Sequence, residues 1–201
     1  MIYNGIEIKE FLNKKEILNK EKVNIAVVGR ITEGKGQNAL VNAINMMNEN
    51  KRRELNVSLV GENKNKYAIS LIKKVKKLKL EDIVKFDGVI YEISKCYSNM
   101  DIVIVTSRNE AFGRVSVEAM LEGCLVIASN TGANSEIISH MKTGLLYENN
   151  NDKDLKDKIE FAINNKKKSQ IIAKNGQEYA LNNFSSDKNA SEILKIYKKI
   201  L

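Results

Sequence analysis

Proline is absent from this chain, histidine occurs once, cysteine twice, and no long apolar run is present. Average usage would bring about 5% proline; its absence, beside an abundance of Asn, Lys and Ile, reads as a composition bias of the source genome rather than a mark of function. A single histidine, His140, excludes a metal site built from imidazoles and argues against a Ser-His-Asp triad. Such a singleton reads as a surface loop residue. Cys96 and Cys124 show no metal-ligand spacing and no disulfide framework, which leaves free thiols in a reducing compartment. No stretch approaches the roughly 18 apolar residues that cross a bilayer. The start, Met1-Ile2-Tyr3-Asn4-Gly5-Ile6-Glu7, lacks a basic region followed by an apolar one, so no leader is expected and the cytoplasm is the expected location.

What is present is a chain of 201 residues, 43% apolar in short runs broken by charges. That is enough for one domain with a substantial core. The net charge of +8 is compatible with a phosphate-rich ligand, an anionic membrane surface or nucleic acid. The lysines are spread over predicted helix faces, as in Lys73-Lys74-Val75-Lys76-Lys77, which reads first as solvated surface. Short Val-, Ile- and Leu-rich runs predict buried parallel strands at 23–28, 56–60, 83–86, 102–106, 125–128 and 144–147. Between and after them, helices are expected at 36–48, 64–78, 92–98, 114–122, 152–164, 168–183 and 185–201, with a short turn at 135–139. Repeated strand–helix–strand units imply a doubly wound, Rossmann-like α/β sheet. Ligands of such sheets bind beyond the carboxyl ends of the strands, where Gly29, Gly61, Gly88, Glu110 and Gly132 all fall.

Two segments carry chemistry. Asn109-Glu110-Ala111-Phe112-Gly113-Arg114-Val115-Ser116-Val117-Glu118 follows the strand at 102–106 and opens a helix. Glu110 therefore sits in the strand-to-helix loop, and Glu118 about a turn and a half inside the helix. Backbone N–H groups from Gly113 to Val115 lie between them at the helix N-terminus and form a ready phosphate site. Acids flanking an anion site suit a ligand with hydroxyl groups on both sides of its phosphates, as in a nucleotide-sugar. The second segment, Gly29-Arg30-Ile31-Thr32-Glu33-Gly34-Lys35-Gly36, almost spells a P-loop. Gly36, however, replaces the hydroxyl that would bind Mg²⁺, and Asp101 begins its strand instead of ending it, so no acid stands ready to hold that metal.

These segments, with Ile2 to Ile6, Leu59-Val60-Gly61, Val84 to Gly88, Gly132 to Ile137 and Thr143 to Leu146, occur in the order found in the donor-binding half of the retaining GT-B glycosyltransferases of family 4, which the chain resembles from Ile2 to about Tyr147. The resemblance implies that Arg30 and Lys35 contact a donor diphosphate, that Glu110 holds the sugar hydroxyls, and that Glu118 holds the ribose. Catalytic roles would fall to Arg30, Lys35 and Glu110. Gly29, Gly61, Gly88, Ala111, Phe112, Gly113, Arg114 and Val115 would line the donor, and the backbone of Val89 and Ile90 would read the base. No metal and no cofactor are expected beyond a nucleoside diphosphate sugar as donor substrate.

The resemblance also sets an expected organisation: an interdomain crossing over 1–22, a nucleotide-sugar-binding domain over 23–184 and a C-terminal helix over 185–201. Expected partners are the nucleotide-sugar and an N-terminal acceptor domain, or a partner subunit, with no nucleic acid. Association with the inner membrane face is expected only through the full enzyme. The chain would be an excised or naturally split half, transferring a hexose or hexosamine to a glycan or lipid-linked acceptor once completed. Thr131 to Glu136 departs from the family pattern, which commonly has a second glycine and a proline before the glutamate. Two other readings remain open: a non-catalytic nucleotide-sugar-binding subunit, and a P-loop-like NTPase.

Overall fold

The computed structural model describes residues 5, 6 and 16–200. Six strands form one sheet: β1 (Val23–Val28), β2 (Leu55–Val60), β3 (Val84–Gly88), β4 (Ile102–Val105), β5 (Leu125–Ser129) and β6 (Leu145–Tyr147). Their order is β3-β2-β1-β4-β5-β6, and every pairing is parallel. The chain builds outward from β1 to one edge, then returns to β4 and builds toward the other. The switch point therefore lies between β1 and β4, where Ile25 pairs with Ile102.

Both faces of the sheet are covered, so the strands read as continuous apolar runs instead of alternating ones. Ile25, Val27, Val57, Leu59, Ile102, Ile104 and Ile127 face one core with α1 (Gln37–Met46), α3 (Lys66–Lys77) and α7 (Asp152–Asn164). Ala26, Val103, Val105, Val126 and Ala128 face the other with α5 (Arg114–Leu121) and the C-terminal half of α8 (Lys166–Phe184). The remaining helices among the described residues are α2 (Glu49–Arg53), α4 (Ile93–Ser98), α6 (Asn134–Ile137) and α9 (Ser186–Ile200), and a 3-10 turn covers Glu33–Lys35.

The predicted strands and helices recur with ends moved by one or two residues. The helix α2 was not expected, and α6 ends at Ile137, short of the predicted 139. Asp101 lies at the amino end of β4, buried, with its carboxylate accepting from the backbone N–H of Leu18 at 2.9 Å and of Asn24 at 2.8 Å. It ties the approach to β1 onto β4 and stands at the opposite end of the sheet from the glycine-rich loops.

Most of the expected crossing segment, including Ile2, Tyr3 and Asn4, lies outside the described residues. Ile6 is described, and its N–H donates to Phe184 O while its carbonyl accepts from Ser186 N, placing it against the junction of α8 and α9. No helix among the described residues is long and apolar enough to cross a membrane.

Candidate donor site

The loops after β1 and β4 meet across the switch point, and backbone bonds fix how they meet. Thr106 Oγ1 donates to Lys35 O at 2.6 Å, and Arg108 N donates to Gly34 O at 3.0 Å. This contact presents the Lys35 side chain to the neighbouring loop, where Nζ lies 2.9 Å from Glu110 Oε2. The structure thus brings together two residues that sequence placed in separate loops. Glu110 is held in turn by its backbone: its carbonyl accepts from Ala133 N at 2.8 Å. Gly132 makes that approach feasible, because a Cβ there would lie 2.3 Å from Glu110 O, and its φ of 52° is left-handed.

A similar close approach links the loops on the other side. Gly29 N donates to Val60 O, and Gly61 N donates to Gly88 O at 2.7 Å. A side chain at Gly61 would place its Cβ 2.1 Å from Gly29 O, so only glycine lets these two turns touch. Beyond them Val89 is exposed, Ile90 half-buried and Tyr91 almost fully exposed. Adjacent strands lie about 4.8 Å apart, so the crevice from the end of β3 to the end of β4 runs roughly 14 Å.

Gly113 is the N-cap of α5 and carries no side chain, so the first N–H groups of this helix have no side-chain cap from that position. Ala111 is exposed, and Phe112 and Val115 are half-buried beside that helix end. One turn further, Glu118 is 16% exposed at its side chain. Arg114 Nε donates to Glu118 Oε1 at 2.6 Å, and Tyr97 OH donates to Oε2 at 3.1 Å. Glu118 therefore lies on the half-buried face of α5. Arg114 itself is exposed, and its guanidinium is held more firmly in the charged form by its hydrogen bond to Glu118.

Arg30 stands apart from this assembly. It is exposed, and its side chain makes no ion pair or hydrogen bond among the described residues; only its carbonyl is used, accepting from Gln37 Nε2 at 3.0 Å. The near-P-loop also acquires a structural reason for its departure. A Cβ at Gly36 would lie 2.3 Å from Thr106 O, so the serine or threonine of a true P-loop does not fit. Among the described residues no three His, Cys, Asp or Glu side chains gather to hold a metal ion. His140 is exposed, and Cys96 and Cys124 are buried and joined in no disulfide.

Tyr97 and Thr106 were not singled out by sequence. Tyr97 reaches Glu118 from 21 positions earlier. Asn134 is fully buried, accepts from Ser116 Oγ at 2.8 Å and occupies the segment that departs from the family pattern. An aromatic residue two positions before the Asn99-Met100-Asp101 turn and an asparagine after Gly132-Ala133 carry no local feature that announces these contacts.

A six-stranded parallel sheet wound both ways from a central switch point, with glycine-rich turns and paired acids above it, defines a Rossmann-like domain of the GT-B type. The family model for glycosyl transferases group 1 matches residues 8–179, and the chain belongs to that family. An uncharacterized glycosyltransferase of Methanocaldococcus jannaschii is 32% identical over the whole chain and 53% of its own length. The capsular polysaccharide biosynthesis glycosyltransferase CapM of Staphylococcus aureus is 28% identical over 98% of the chain and 53% of its own length. Among solved structures, Anabaena HepE in complex with UDP superposes with a TM-score of 0.89 at 28% identity, covering 98% of this chain and 57% of HepE. HepE has also been solved with UDP-glucose. The chain spans about half the length of the relatives it matches.

Proposed function

We propose that this domain binds a nucleoside diphosphate sugar and forms the donor half of a retaining glycosyltransferase that needs no metal. The observation that carries this reading is the Lys35–Glu110 pair across the switch point of the sheet, with Glu110 in the loop that leads into the α5 N-terminus at Gly113 and Glu118 on the same helix. Lys35, with Arg30 on the same loop, supplies positive charge where a diphosphate departs, and the α5 N–H groups add directed donors. Glu110 would take the sugar hydroxyls and Glu118 the ribose. The base would lie toward Val89 and Ile90, a strand-spaced distance suited to an extended nucleotide. In such a reaction the acceptor attacks from the face the diphosphate leaves, and the leaving phosphate takes the acceptor's proton. The UDP and UDP-glucose complexes of HepE support a uridine nucleotide as the first ligand to try.

Titration calorimetry with UDP, with and without a chelator, tests this. Binding is expected to persist in the chelator. Lys35→Ala or Arg30→Ala should weaken it by about 1.5–3 kcal/mol, the scale of a hydrogen bond to a charged group. Strict dependence on Mg²⁺ would overturn the reading in favour of an NTPase.

A further inference from the structure

Glu118, the carboxylate assigned above to the ribose, is gripped by two unlike donors. Arg114 reaches Oε1 along the surface of α5, with 74% of its side chain exposed. Tyr97 reaches Oε2 from inside the protein, where it is 1% exposed and belongs to the apolar cluster of Val103, Val117, Met120 and Leu121. The backbone of Tyr97 is pinned as well. Cys124 Sγ donates to its carbonyl at 3.3 Å, and Met100 N donates to the same oxygen at 2.9 Å. The end of α4 is thereby tied to the residue just before β5.

A buried phenol normally finds a partner for its hydroxyl, and here the partner is a carboxylate with only 16% of its side chain exposed. Burial, and then the charge of Glu118, push the Tyr97 phenol well above the ordinary tyrosine range, so it remains a donor at any working pH. A carboxylate offers about four acceptor sites. Arg114 and Tyr97 use one on each oxygen, and two remain, the number that a vicinal diol fills.

We propose that Tyr97 is a positioning residue: its hydroxyl fixes Glu118 Oε2 so that the free acceptor sites face the 2′- and 3′-hydroxyls of a bound ribonucleotide, and the site thereby selects ribose over deoxyribose. The proposal rests on the donor-site reading above. Loss of the phenol hydroxyl leaves Glu118 free to turn toward water, and loss of the 2′-hydroxyl leaves a carboxylate site unpaired.

Calorimetry with UDP and 2′-deoxy-UDP on the 201-residue chain separates a positioning role from a merely structural one. Tyr97→Phe keeps the buried ring. It should weaken UDP about 3–10-fold, the value of one lost hydrogen bond, and weaken 2′-deoxy-UDP, which keeps only one of the two hydroxyls, by less. In a Glu118→Ala background, which leaves the phenol no side-chain oxygen to hold, the same substitution should have no further effect. Equal weakening of both nucleotides, or an undiminished effect in that background, would show that the ring only props the fold. If the parent chain binds neither nucleotide, the donor-site reading fails by itself. The ¹³C carboxyl resonance of Glu118 in the ligand-free chain then decides the positioning: a shift on Tyr97→Phe supports it, and no shift overturns it.

Discussion

Lys35 and Glu110 neutralise one another in the free chain, across 2.9 Å and with only 14% of the Glu110 side chain exposed. A ligand that brings phosphate to Lys35 competes with that carboxylate. Glu110→Gln should therefore leave UDP binding unchanged or tighten it, while weakening UDP-glucose, whose sugar hydroxyls lose an ionised acceptor. Glu118→Gln should weaken both ligands, because ribose is common to them. Parallel titrations with the two nucleotides check the division; equal loss of UDP in both variants would refute it. The acids and the lysine were legible in sequence because each sits at a fixed offset from a strand end. Their neighbours were not. Thr106 Oγ1 meets Lys35 O from 71 positions away, and Tyr97 meets Glu118 through the core; contacts of that kind depend on how helices pack and leave no mark on local spacing.

At the scale of elements, legibility followed burial. β4 and β5 are buried along their whole length, so their apolar runs marked them directly. By contrast α2, Glu49-Asn50-Lys51-Arg52-Arg53, buries nothing and has no apolar period to detect. It is held by the N-cap bond from Asn50 N to Asn48 Oδ1 and by the surface pair Arg53–Glu49. The turn before β6 is held differently, with Leu146 N donating to His140 Nδ1 at 2.9 Å. Burial of part of the ring, and then Lys158, depress the His140 pKa below 6.5. The unfolded chain therefore takes up this proton more readily than the folded one. The stability contributed here is present above the ordinary imidazole value and falls as pH drops through it. Urea midpoints of the parent chain should decrease between pH 7.5 and 5.5 by more than those of His140→Asn, which keeps an acceptor but has no titrating ring. Identical slopes would show that the bond does not couple to folding.

For the whole molecule, the expected limit is chemical competence. Transfer needs the acceptor hydroxyl and the anomeric carbon held within roughly 3–3.5 Å. On the reading proposed above the crevice is the donor wall, in a chain that spans about half of its relatives. The 201-residue chain is expected to bind labelled donor and to transfer no sugar to glycan or lipid acceptors. Robust turnover by this chain alone would place an acceptor site within it.

The switch point has a kinetic consequence. β1 pairs with β4 through Ile25 and Ile102, segments that a long stretch of chain separates, and such non-local pairing pays its loop-closure entropy before it is rewarded. The loops carrying Lys35 and Glu110 can face each other only once that pairing is complete. A nucleotide captured there should therefore recognise the finished sheet and not its precursor. In stopped-flow experiments, saturating UDP should slow unfolding and leave the refolding rate unchanged, so that the ligand acts as a latch on the closed sheet and plays no part in bringing its halves together.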